Sequence, residues 1–156
     1  MQRLEDLIAE APAFAGLERS QLEVIAGCGT NERADAGRYL FREGGPAERF
    51  YLIRKGAVAV EIAAPGREPI VVETLHAGDV TGLAWLFEPH RSQFDVRVAA
   101  PAALTAFDGV CLRGKCDADH ELGYQLMRRF AVLAAERLEA TRLQLLDVYA
   151  NPGAPA

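Results

Sequence analysis

The chain has 156 residues, half of them hydrophobic, and carries 22 acidic against 17 basic side chains for a net charge of -5. That length buries one core, or one core with a helical appendage, and excludes two ordinary domains; the acidic balance excludes a global attraction to DNA or to an anionic membrane. The opening "MQRLEDLIAEAPAFAG" sets Glu5, Asp6 and Glu10 within its apolar periodicity, unlike a signal peptide, and no run reaches the roughly 18 apolar residues of a membrane span, so a cytoplasmic protein is expected.

Leu4, Leu7, Ile8 and Ala11 recur at helical spacing, and Leu17, Leu22 and Ile25 mark a second short helix stopped by Gly27 and Gly29. Both read as packing helices. From about Arg33 the period changes: "YLIRKGAVAVEIAAPGREPIVVETLHAGDV" carries short β-branched and aromatic runs broken at Gly56, Pro65-Gly66 and Gly78. Several short strands with regular glycine turns predict a mainly β domain, a sandwich or barrel. Pro65-Gly66 between residues 58–63 and 69–74 predicts a tight hairpin.

The stretch "GDVTGLAWLFEPHRSQFDVRV" reads as a strand end, a tight turn, one apolar helical turn, a polar loop bearing Arg91 and Ser92, and a strand. Backbone N–H groups at a helix start, with one arginine, form a cradle for an anion. Gly82, Leu83, Ala84 and Trp85 fall on its turn, and "FDVRVAAPAALTAFDG" then supplies two strands divided at Pro101. Three cysteines, Cys28, Cys111 and Cys116, are too few for a disulfide framework and fit a reducing compartment. Cys111 and Cys116 lack the second pair that a structural zinc site needs, so packing or an exposed turn is expected and no metal site is assigned. An iron–sulfur cluster takes four cysteines.

From Asp117 to Tyr149 the pattern is helical, with Asp117 or Asp119 as cap and "NPG" as stop. Met127, Ala131, Ala134, Leu138, Thr141, Leu145 and Val148 follow at alternating spacings of 4 and 3, the repeat of a coiled-coil seam. A second face, with Leu122, Leu126, Phe130 and Leu133, is free to lie on the β domain. A helix of about 30 residues is about 45 Å long and overshoots a domain of this size. Its distal half therefore needs a partner, and a second copy in a parallel dimer is the economical one; the alternative is a helix folded back onto its own core. Three regions result: residues 1–116 as the β domain with its N-terminal helices, 117–150 as the dimerisation helix, and 151–156 as a flexible tail.

This order of parts resembles the cyclic-nucleotide-binding domain of bacterial catabolite activator and Fnr-type regulators. The resemblance is carried by "AGRYLFREGGPAERFYLIRKGAVAVEI" and by "LHAGDVTGLAWLF", which is similar to the Gly-Asp-x-x-Gly lead into that family's phosphate-binding cassette. It implies a β-roll or jelly-roll double-stranded β-helix with flanking helices, and a cyclic nucleotide or another small anion as ligand. In family members that bind cyclic AMP, a glutamate after the cassette glycine holds the ribose 2′-hydroxyl, and an arginine pairs with the cyclic phosphate. Here Leu83 follows Gly82, and the arginine position falls on Ser92 with Arg91 one residue early. Losing that carboxylate contact costs roughly 1–3 kcal/mol, tenfold or more in affinity. Trp85, Leu86, Phe87 and Phe94 crowd the cassette; Trp85 either stacks on a planar ligand or fills the core. Thr141 in "RLEATRLQL" matches the position that meets the base in cyclic-AMP sensors.

Some relatives carry a heme, but no spacing among His76, His90, His120 and the cysteines singles out an axial pair. Only seven residues follow Tyr149, so the family's helix-turn-helix is not expected and this chain alone should not bind DNA specifically. The sequence holds no nucleophile motif, Walker loop or Rossmann loop, and a catalytic role is not expected. Two readings stay open: a homodimeric sensor acting on an unidentified protein partner, with a cassette ill-suited to tight cyclic AMP binding, or a ligand-free assembly subunit.

Overall fold

The computed structural model describes residues 2–150; the expected tail, 151–156, lies outside them. Two short helices, α1 (Leu4–Ala9) and α2 (Arg19–Ala26), come first, joined through a 3-10 turn at Pro12–Phe14. The second starts where the side chain of Glu18 meets the backbone of Gln21 and the Gln21 side chain answers the Glu18 N–H, satisfying orphan donors in both directions.

Six strands follow: β1 (Gly29–Ala34), β2 (Tyr39–Phe41), β3 (Arg49–Ile62), β4 (Ile70–Leu75), β5 (Val80–Thr81) and β6 (Asp95–Asp108). They form one antiparallel sheet in the order β1-β6-β3-β4, with β2 on β6 and β5 on β3. Among the described residues hydrogen bonds do not close it into a barrel: β1 and β4 are its edges, and the chain rolls up through the bends of its two long strands.

Those bends account for one difference from the sequence reading. The two strands expected on either side of Pro101 are a single strand, β6, because the pairing with β3 slips repeatedly between Ile53 and Val58, opposite Pro101. A bulge leaves a position with no ladder bond, which is where a residue lacking N–H is tolerated. Gly56 sits at the same irregularity with φ +91°, and a β-carbon there would lie 2.4 Å from the Pro101 carbonyl oxygen.

The side chains of β3 alternate between two cores, as the period of a strand requires. Phe50 and Leu52 face the helical side with Phe14, Phe107, Leu112 and Phe130; Tyr51 and Ile53 face the roll interior with Phe41, Val58 and Leu104. Being covered on both faces is what makes "FYLI" a continuous apolar run. Between the paired strands β3 and β6, Arg97 donates from Nε and Nη2 to the buried Glu61 carboxylate at 3.0 and 3.1 Å. That contact holds the guanidinium charged, its pKa pushed above the ordinary arginine value.

After β6 the chain enters α3 (Gly109–Ala118), capped by the Asp108 carboxylate accepting from the Cys111 N–H at 3.1 Å, and then α4 (His120–Ala150). The segment around Cys111 and Cys116, expected to serve packing or an exposed turn, is therefore a helix. The boundary expected after Cys116 falls inside it, and the long helix starts at His120, three residues later than its predicted start. The helix brings Cys111 beside Cys28, with Cα atoms 5.9 Å apart, and the two form a disulfide across 83 residues of chain. Counting cysteines does not see a single long-range bridge, which depends on where α3 docks. Cys116 stays free; burial, then the nearby Asp117 and Asp119 charges, push its thiol up.

Leu122, Leu126 and Phe130 of α4 are buried in the helical core, and Leu133 packs against it, the face expected to lie on the β domain. Past Leu133 the buried stripe ends.

Candidate functional site

The site begins with a turn that fixes where the chain leaves β4. Asp79 Oδ2 accepts from the His76 N–H at 2.8 Å, and Gly78 N–H donates to the Ile53 carbonyl at 2.8 Å. Two residues of β5 pair with Tyr51 and Leu52, and Gly82 then turns at φ +101°. A β-carbon at Gly82 would stand 2.6 Å from the Phe41 ring and 3.0 Å from the Arg49 carbonyl oxygen, so glycine is required by both angle and space.

A 3-10 turn over Leu83–Leu86 follows. Its first internal bond comes from the Trp85 N–H to the Gly82 carbonyl, which leaves the N–H groups of Leu83 and Ala84 as the unpaired donors of the turn start. His90, with φ +56°, reaches back from the following loop so that Nδ1–H donates to the Ala84 carbonyl at 3.0 Å. Arg113 Nη1 of α3 donates to the Trp85 carbonyl, tying the turn to the helices.

The loop after β2 closes the other side. Ala47 N–H bonds the His90 carbonyl at 2.8 Å, Ser92 N–H the Gly45 carbonyl at 3.0 Å, and Gly44 N–H the Ser92 carbonyl at 2.8 Å. Arg91 is exposed, and its Nη1 donates to the Gly44 carbonyl at 2.7 Å. Ser92 Oγ donates to the Phe94 carbonyl at 2.6 Å.

These parts border a cavity of about 1120 Å³ bounded by the inner ends of β2, β3, β4 and β6 and by the distal half of α4. Gly82, Leu83, Ala84, Arg91, Ser92 and Thr141 line it together. Trp85 does not. Its side chain is fully buried, stacked on Phe50 with centroids 4.9 Å apart and edge-on to Phe130 at 5.8 Å. Of the two readings for Trp85 the structure places it in the core, because the 3-10 turn points its third residue away from the cavity and toward the helices.

All seven positions of the expected seam, from Met127 to Val148, are exposed on α4. Leu138, Thr141, Leu145 and Val148 among them also line the cavity, so one stripe is both seam and wall. The sequence reading missed the walls given by Phe41, Ile70 and Val71, and the scaffolding by Gly44 and Gly45. The glycine pair in "REGGPAE" was a signal for the second; nothing local announces the first, since β4 reaches the cavity only through the roll.

The roll thus gathers a glycine-initiated turn, the N–H groups at its start and an arginine around one cavity. The sequence matches the cyclic nucleotide-binding domain family over residues 31–119, and the chain belongs to that family. It is 30% identical over 88 residues to cyclic nucleotide-gated ion channel 18 of Arabidopsis thaliana, covering 54% of this chain and 12% of the channel. It is 24% identical over 145 residues to a CRP-like cAMP-activated global transcriptional regulator of Mycobacterium tuberculosis, covering 93% of this chain and 63% of the regulator. The chain therefore spans less than two thirds of either relative. A cyclic nucleotide-binding domain from Methylobacillus flagellatus superposes with a TM-score of 0.79 at 16% identity, over 99% of this chain and 85% of that one, which shows the shared fold. Among the described residues no helix is long and apolar enough to cross a membrane, and no cluster of three or more His, Cys, Asp or Glu side chains is placed to hold a metal.

Proposed function

We propose that the chain is a non-catalytic sensor module that pairs with a second copy through α4 and passes the state of its cavity to a protein partner. Its cassette is altered so that cyclic AMP is not held tightly. The observation that carries this reading is Leu83 in the cavity wall immediately after Gly82. An aliphatic side chain there cannot accept a hydrogen bond from a sugar hydroxyl, and a buried hydroxyl left unpaired weakens binding by roughly 1–3 kcal/mol. Arg91 remains beside the cassette as the group for an anion.

Coupling follows from the shared stripe. A ligand that touches Leu138, Thr141 and Leu145 favours one placement of the distal helix, and only such differential contact shifts an equilibrium between two arrangements. The second reading, a ligand-free assembly subunit, draws on the exposure of the same residues, which fits a surface held for a partner. Calorimetric and thermal-shift titration with cyclic AMP and cyclic GMP separates the first reading from tight nucleotide binding. A ligand at a hundred times its Kd stabilises by about 2.7 kcal/mol. The proposal expects no saturation by cyclic AMP below high micromolar concentration, and a submicromolar Kd would overturn it.

A further inference from the structure

We propose that the cavity takes an amphipathic monoanion, a single carboxylate or sulfonate on an aromatic or aliphatic body, in place of a nucleotide; this rests on the sensor reading above and specifies its ligand. The cavity wall is apolar and open: Ile62, Ile70, Val71 and Phe94 of the roll face Leu145 and Val148 of α4, and each keeps between 38% and 55% of its surface exposed. Covering such side chains is the main driving force available to a ligand here, and about 1120 Å³ is room for a molecule of drug-like size.

The polar groups point the same way. Nucleotides are recognised through the hydroxyls of the sugar and the edges of the base, and two of the hydroxyls that line the cavity, those of Ser92 and Thr141, already donate to backbone carbonyls. Ser92 Oγ donates to the Phe94 carbonyl and accepts from the Phe94 N–H, and Thr141 Oγ1 donates to the Arg137 carbonyl at 2.8 Å. Charge limits the ligand further. Arg137 faces Glu73 at 3.9 Å, while Asp147 lines the distal end and repels a second negative group. Arg91 is the cation at the cassette, and the Nη1 bond to Gly44 fixes its guanidinium while leaving other N–H groups for an anion. One fixed positive group above an apolar chamber matches one negative group on an apolar body.

The experiment uses 1-anilinonaphthalene-8-sulfonate as fluorescent reporter on the full chain, with 2-naphthaleneacetate, the uncharged 2-naphthaleneethanol and cyclic AMP as competitors. Naphthaleneacetate is expected to displace the reporter and raise the melting temperature, with the alcohol at least tenfold weaker. Arg91→Gln is expected to erase the difference between acid and alcohol, Arg91→Lys to keep it, and Val71→Asp to weaken both while leaving the fold, since Val71 lines the cavity, is exposed and lies outside the α4 seam. Equal affinity for acid and alcohol, or an Arg91→Gln chain that still prefers the acid, overturns the anion site. Tight cyclic AMP binding without displacement by naphthaleneacetate overturns the ligand class and the altered-cassette reading, while a sensor role stands. Silence toward every probe overturns both the ligand class and the sensor.

Discussion

At the scale of single residues, Leu83 and Cys116 each yield a direct test. Leu83 lines the cavity next to Gly82, and on the proposed reading its aliphatic side chain is what denies a sugar hydroxyl its acceptor, so Leu83→Glu supplies one without new backbone strain. The variant is expected to bind cyclic AMP at least tenfold more tightly than the parent in calorimetry; an unchanged Kd would show that the cavity, not this side chain, excludes the nucleotide. Cys116 is the other. Burial and two neighbouring carboxylates favour its neutral thiol, so the thiolate, the reactive form, is scarcer at pH 7.5 than for a free cysteine. Alkylation by iodoacetamide in the native protein should run well below the rate for a model thiol at that pH and climb only above pH 9. A native rate equal to the model thiol would contradict the placement of Cys116 against α4.

At the scale of elements, the strand pair β3–β6 and the helix α4 hold the site in place. The bulges around Gly56 bend both long strands, and a methyl group at that position collides with the Pro101 carbonyl while the angle disfavours any side chain. Gly56→Ala should therefore cost about 2–3 kcal/mol in urea unfolding, against a few tenths for an ordinary surface change. The aromatic cluster of Phe14, Phe50, Trp85, Phe107 and Phe130 anchors the proximal half of α4 to the roll. Arg113 links the same helices to the cassette turn. A shift of α3 or α4 is thus felt at Trp85, and through it at Leu83 and Ala84.

At the scale of the molecule, the 31-residue α4 runs about 46 Å, and its distal residues expose Leu138, Leu145, Leu146 and Val148. Pairing of two copies through that stripe covers them. Light scattering of the purified chain should give a dimer, and Leu138→Glu combined with Leu145→Glu should give a monomer with unchanged helical content. A parent chain that is monomeric at tens of micromolar would remove the dimer from the account. Within α4 the acids Glu121, Glu136, Glu139 and Asp147 balance Arg128, Arg129, Arg137 and Arg142, so net charge does not oppose the pairing of two copies.

The sequence by itself determined the class of the fold, the glycine-led turn, the arginine beside it and the amphipathic exit helix, because strand and helix periods, turn glycines and caps are local rules written in consecutive residues. Leu83 was legible for the same reason: it is the next residue after a glycine whose place in the turn is fixed. Only the tertiary structure decided that Trp85 belongs to the core, that Cys28 meets Cys111, that residues 109–118 form a helix and that one stripe of α4 serves as cavity wall. The burial of Trp85 against Phe50 and Phe130, the Cys28–Cys111 bridge across 83 residues and the stripe of α4 facing β4 each join segments distant in sequence, and that is set by how the rolled sheet and its helices pack rather than by any pattern a single stretch of chain can carry.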